Sequence, residues 1–288
     1  MLIAAPLLLT LFSAIAGHHH EAGASPASPE VAFGIPSIRW PAAGAVVLSA
    51  DGQSFDGVCS GVLVAPRWVL TAAHCGGDTN TLFYVGVDFF DFNSAPAAYA
   101  VTAVYADPEY QAPPGHDLEL LELADAVPDV TPFIVSDLPP PLPYVNPDPT
   151  LPSYYPAVYL IGYGLNRQEQ LTGVRTLTTL HTALAADGYV LSSDETFYAF
   201  AQTHTCAGDS GAPLFDLGSN GFPILYAAAV VLQPDQQCGL SQYSAGVRVD
   251  TAIDFIRQHI PDVCVASAPA ATGCDGIFDN DFETLLNP

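Results

Sequence analysis

Lysine is absent from this chain of 288 residues. Six arginines are its only fixed cations, against 30 acidic side chains, and the formal charge is −24. Nothing is available to neutralise a run of phosphates, so nucleic acid is excluded as a partner and anionic membranes are repelled. The same imbalance keeps a protein soluble and fits either an acidic, exported protein or one that meets a cationic partner. Long apolar runs are missing after the first residues, so no later stretch reads as a membrane span. Internal repeats are missing too, which excludes a solenoid. Hydrophobic residues still make up 50% of the chain, enough for a sizeable core and too many for global disorder.

What is present begins with "MLIAAPLLLTLFSAIAG", an apolar run ending in the small-residue pattern Ala14-Ile15-Ala16. It reads as a signal peptide over residues 1–16, although the usual basic start is missing. Residues 17–30, "GHHHEAGASPASPE", read as a flexible leader. Its three histidines lack the further converging ligands that a tight metal site needs, so no metal is assigned. Six cysteines fit an exported protein with three disulfides, whose pairing composition leaves open.

Short β-type runs, among them "AVVLSA", "WVLTAA" and "YAVTAVYA", alternate with Gly, Asp and Pro up to about residue 136. That spacing argues for a sandwich or barrel. Residues 137–156 hold eight prolines in twenty positions and read as a connector. Strand-like runs resume at "AVYLIGYG" and continue to about residue 247. The expected order is a lobe over 41–136, the connector, and a second lobe over 157–247. A helix follows over 250–260: Asp250 or Thr251 caps it, Ile253, Ile256 and Ile260 form one stripe, and Pro261 stops it. Residues 263–288 form an acidic tail.

Chemistry centres on "CAGDSG" at 206–211. A serine hydroxyl is a poor nucleophile unless a base takes its proton and donors stabilise the resulting oxyanion. Upstream, His74 sits in "LTAAHC" and Asp117 opens "HDLELLEL". Taken singly, each reads as an ordinary structural residue. Together they give the chain order His74, Asp117, Ser210, which differs from the orders of subtilisin-like enzymes and α/β-hydrolases.

The blocks "SGVLVAPRWVLTAAHC", "HDLELLEL", "IGYG" and "CAGDSGAP" resemble those of the trypsin/chymotrypsin family of serine proteases, across roughly residues 40–260. The resemblance implies an all-β fold: two antiparallel six-stranded β-barrels with the site between them, and a C-terminal helix. It implies a protease domain over 31–262 with Ser210 as nucleophile, His74 as base and Asp117 orienting it. The N–H groups of Gly208 and Ser210 would form the oxyanion hole. It also implies the disulfides Cys59–Cys75 and Cys206–Cys238, which leaves Cys264–Cys274 to close the tail.

Two departures matter. The family pairs an aspartate beside the serine with a new N-terminal ammonium after zymogen cleavage. Asp209 matches that aspartate, but the usual Ile-Val-Gly-Gly start is absent, and "VAFG" at 31–34 is the nearest match. Val31 is therefore the expected mature N-terminus, released by cleavage after Glu30. The floor of the specificity pocket falls on His204, with Gly246 on the wall, and no acid lies between Phe197 and Ala207. Cleavage after Arg or Lys is therefore not expected. The family's Ser-Trp-Gly strand is replaced by "AAAVVLQ".

The tail "CDGIFDNDFE" resembles an ending of secreted proteobacterial proteins. Its acids do not meet the EF-hand register, so calcium is not assigned. The expectation is a secreted, extracellular or periplasmic, monomeric bacterial endopeptidase acting on protein or peptide substrates. It would use no cofactor and form no stable membrane association after processing. The alternatives are a silent binding module on the same fold, or an esterase using the same triad.

Overall fold

The computed structural model describes residues 34–91, 97–113, 115–141, 144, 146–148, 150, 151, 154, 156–166, 168–186, 189–193, 205–219, 221–230, 244–268 and 274. The leader, the start of the domain and most of the tail lie outside the described residues. A short strand, β1 (Ile35–Pro36), comes first. Lobe one then contains β2 (Ala43–Leu48), β3 (Gly57–Ala65), β4 (Trp68–Thr71), β5 (Leu82–Val85), β6 (Ala97–Ala106) and β7 (Glu119–Leu123). These close into an antiparallel barrel in the order β2-β3-β4-β7-β6-β5. Closure removes exposed strand edges, and Val46, Val62, Leu70, Phe83 and Leu121 fill the core at 0% exposure.

Lobe two contains β8 (Ile134–Val135), β9 (Ala157–Gly162), β10 (Thr176–Ala186), β11 (Tyr189–Ser193), β12 (Pro213–Leu217), β13 (Pro223–Val230) and β14 (Ser244–Arg248). Its sheet runs β1-β10-β11-β14-β13-β12-β9, and β9 pairs back onto β10. Six antiparallel strands thus form a ring. The sheet as a whole is mixed and eight-stranded, because β1 joins β10 and β8 lies parallel beside β13. Both additions come from segments that cross between lobes, which composition alone did not reveal.

The connector contributes a single bridge among its described residues, Tyr144 to Tyr154. The helix starts later than its sequence suggests. Residues Asp250–Ala252 form a 3-10 turn, and α1 (Ile253–His259) follows. Asp250 does not cap it, because its carboxylate accepts the Arg248 guanidinium. Ile256 and Ile260 are buried as the stripe predicts.

Two features lock the lobes together. Trp40, Phe133 and Phe215 stack edge to face, with centroids 5.0 and 4.9 Å apart. Arg175 is 1% exposed and donates to the carbonyls of Ser37 and Ala43 at 3.2 and 2.9 Å. Burial pushes its pKa down, yet the carbonyls replace the water it has lost.

Candidate active site

The β4–β7 ladder brings the first two site residues together. Thr71 pairs with Glu119, so the chain leaving β4 and the chain entering β7 meet at one end of the barrel. His74 lies in the 3-10 turn Ala73–Cys75 that follows β4, and Asp117 lies two residues before Glu119. Asp117 is 0% exposed, and its two oxygens accept the His74 backbone N–H at 2.8 Å and the ring Nδ1–H at 2.6 Å. With Nδ1 donating, Nε2 is free to accept. The Ser210 hydroxyl lies 2.7 Å from Nε2. A hydroxyl, an imidazole and a carboxylate in this sequence can pass a proton from oxygen to nitrogen and hold the cation that forms.

Ser210 arrives from lobe two, on the turn before β12. Backbone contacts fix it: Ser60 N–H donates to the Ser210 carbonyl at 2.7 Å, and Gly211 N–H to the Ala229 carbonyl at 2.7 Å. Gly208 and Gly211 have φ of 98° and 83°, a region that suits glycine. Ser60, which sequence reasoning passed over, bridges the lobes. Its hydroxyl donates to the Gly208 carbonyl and accepts the Tyr163 N–H, both at 2.9 Å. Among the described residues, the N–H groups of Gly208 and Ser210 have no protein acceptor. Two unbonded donors beside a hydroxyl can receive a developing oxyanion.

Asp209, between them, is 0% exposed. Its carboxylate accepts the N–H groups of Gly164 and Cys206 at 2.8 and 2.9 Å. Burial outweighs these bonds and pushes its pKa up to about 7. No ion pair reaches it among the described residues, and its expected partner, Val31, lies outside them. His204 also lies outside the described residues. Gly246 is buried on β14, where a side chain would press on Leu214 Cδ1 and Ala227 Cβ, each 3.0 Å away.

Cys59–Cys75 and Cys264–Cys274 are bonded as expected. Cys206 is also disulfide-bonded, and Cys238 lies outside the described residues. Among the described residues no cluster of His, Cys, Asp and Glu could hold a metal ion, and no helix is long and apolar enough to cross a membrane. Glu119, buried beside this site, went unread: in "DLELLEL" it looks like the solvent side of an alternating strand.

A chymotrypsin-like fold with a serine, a histidine and an aspartate meeting between its lobes belongs to a well-defined class of protein. The trypsin family model matches residues 36–256, and the chain belongs to that family. It is 26% identical to ovochymase of Halocynthia roretzi over 222 residues, covering 69% of this chain and 13% of that protein. It is 28% identical to glandular kallikrein of Sus scrofa over 180 residues, covering 54% of this chain and 69% of that one. Among solved structures, neuropsin, a serine protease expressed in mouse brain, superposes with a TM-score of 0.60 at 18% identity, covering 80% of this chain and all of that one (100%). This last likeness concerns the fold. The chain thus spans a small part of ovochymase and about two thirds of the kallikrein.

Proposed function

We propose that this protein is a serine endopeptidase, exported by a bacterium, that hydrolyses peptide bonds through an acyl-enzyme. The Ser210 hydroxyl attacks the carbonyl carbon while His74 Nε2 takes its proton. The carbonyl oxygen becomes an oxyanion and is received by the N–H groups of Gly208 and Ser210. His74 then gives its proton to the leaving amine, and water repeats the sequence to free the acid. Asp117 keeps the proton on Nδ1 and stabilises the imidazolium. The 2.7 Å contact between Ser210 and a histidine anchored by Asp117 carries this reading.

In this reading the N-terminus released at Val31 pairs its ammonium with Asp209, which supplies the cation that the buried carboxylate lacks among the described residues. His204 floors the specificity pocket and Gly246 helps form its wall. With no acid at the floor, cleavage after Arg or Lys is disfavoured. The experiment uses a fluorophosphonate probe and a mixed peptide library on wild-type protein and Ser210→Ala. Wild type is labelled and cleaves the library without favouring Arg or Lys. Ser210→Ala is unlabelled and slower by roughly a millionfold. Unlabelled wild type would leave a binding module, and a strong Arg or Lys preference would refute the His204 assignment.

A further inference from the structure

Two acidic side chains on one stretch of chain face the histidine segment. Asp117 and Glu119 are two residues apart at the entry to β7, a spacing that sets side chains on the same side. Asp117 takes the backbone and ring N–H groups of His74. Glu119 is 4% exposed, and its Oε1 accepts the N–H of Gly77 at 3.1 Å. The fit there is close: a Cβ on Gly77 would lie 2.7 Å from that oxygen and 3.1 Å from Leu121 Cδ2. Only Cys75 and Gly76 separate the two grips. The segment's other anchors among the described residues are the Cys59–Cys75 disulfide and the N–H bonds of Cys75 and Gly76 to the Ala72 and Ala73 carbonyls. Those two N–H bonds lie within the turn itself and do not fix it against the barrel.

We propose that Glu119 is a positioning residue: its buried carboxyl clamps the Gly77 N–H and thereby fixes the segment that holds His74 against Ser210. The proposal rests on the reading of Ser210, His74 and Asp117 as a hydrolytic centre. It adds to that centre a second carboxyl.

The clamp works as a neutral acid. Burial, and after it the Asp117 charge, push Glu119 up to about 8 against the pull of the Gly77 N–H. Its ionisable neighbours are Asp117, with His74 beyond it, Tyr110 on the preceding loop and Asp78 just past Gly77. Tyr110 is itself pushed up by burial and by the charges of Asp117 and Glu119. The flanking strands β4 and β6 pair Thr71 and Ala106 with it, neither of which ionises. At the strand's entry His116 contacts Asp107 and Glu109. No arginine pairs with Glu119 among the described residues. A neutral Glu119 adds no second charge on the Asp117 side of His74.

The test measures kcat and KM on one peptide substrate, from about pH 5 to about pH 9, for the active protein and its Glu119→Ala, Glu119→Gln and Ser210→Ala variants. Glu119→Ala loses about tenfold to a hundredfold in kcat with KM unchanged, because His74 drifts from its line of attack. Glu119→Gln, whose amide oxygen accepts the same N–H, restores kcat to within about threefold. Its acid limb in kcat/KM coincides with that of wild type, since Glu119 is uncharged across that limb. Wild-type kcat in Glu119→Ala overturns the clamp. So does a Glu119→Gln acid limb lowered by more than about half a pH unit, the mark of a lost anion. If Glu119→Ala fails to fold, the kcat and acid limb of Glu119→Gln decide. Full activity in Ser210→Ala sinks the hydrolytic reading itself, a result distinct from either of these.

Discussion

In lobe one, the carboxylate that faces the site, Asp117, ends on N–H groups of the very residue it orients. In lobe two the corresponding buried carboxylate, Asp209, ends on the backbone of Gly164 and Cys206, and no cation reaches it among the described residues. Both are 0% exposed. The first is bound to the histidine that faces Ser210. The second carries a desolvation cost that pushes its pKa up to about 7. The histidine half of the site is therefore complete within its own barrel. The serine half depends on the opposite lobe for its shape, and its buried carboxylate finds no cation among the described residues.

The harshest way to break this comparison is to part the lobes where the serine turn rests on lobe one. A Cβ on Gly211 would lie 2.1 Å from the Ser60 carbonyl and 2.2 Å from Thr71 Oγ1, at a φ of 83°. Gly211→Ala should cost about 3–5 kcal/mol in urea unfolding, through strain and overpacking combined. Activity should fall by about a hundredfold or more, as Ser210 shifts against His74. Wild-type stability in this variant would mean that the contact between the lobes is slack and the turn is positioned by lobe two alone.

A gentler probe is pH. Asp209 has a folded pKa near 7 against an ordinary value of 3.8, so the folded state holds its proton longer than the unfolded chain. Below about pH 4 both states are protonated and no penalty exists. Between about pH 4 and about pH 7 only the unfolded chain ionises, and stability falls by up to about 1.4 kcal/mol per pH unit. Protein that begins at Val31 should lose this slope, because the ammonium keeps the carboxylate charged in the folded state. Urea melts of the precursor and the processed form at several pH values check this. Glu119 adds a similar slope to both forms, so the difference isolates Asp209. Equal slopes would remove Val31 as the partner.

Legibility in the sequence follows the same division. Singly, Ser210, His74 and Asp117 read as ordinary residues; their chain order and the resemblance of their blocks singled them out together, and the fold brings them within hydrogen-bond distance. The alternation of short strands with turn residues announced two β lobes and their connector. Harder to read was whatever depends on pairing across the chain. The strands β1 and β8 are two residues each, too short to show a period, and join lobe two's sheet only through tertiary contact. Nothing in "GVRTLTT" marks Arg175 for burial, yet the fold buries it against two carbonyls. Glu119 was hidden by the rule that acids in an alternating strand face water, which fails where the barrel end is capped by the histidine segment.

The smallest expected effect sharpens the point that lobe one shapes the serine half. Ser60 stands on β3, yet among the described residues its hydroxyl serves lobe two, donating to the Gly208 carbonyl and accepting the Tyr163 N–H. It is 1% exposed, so Ser60→Ala strands two polar groups away from bulk water. The expected cost is about 1–3 kcal/mol in unfolding free energy. The carbonyl released belongs to Gly208, whose own N–H is a proposed oxyanion donor, so loosening it tilts that peptide. Turnover should then fall several-fold with KM nearly unchanged, since the loss is felt when the oxyanion forms. A variant that loses stability but keeps its kcat would show that Ser60 braces the fold without aiming the donor. That outcome would confine lobe one's hold on the serine turn to the contacts around Gly211.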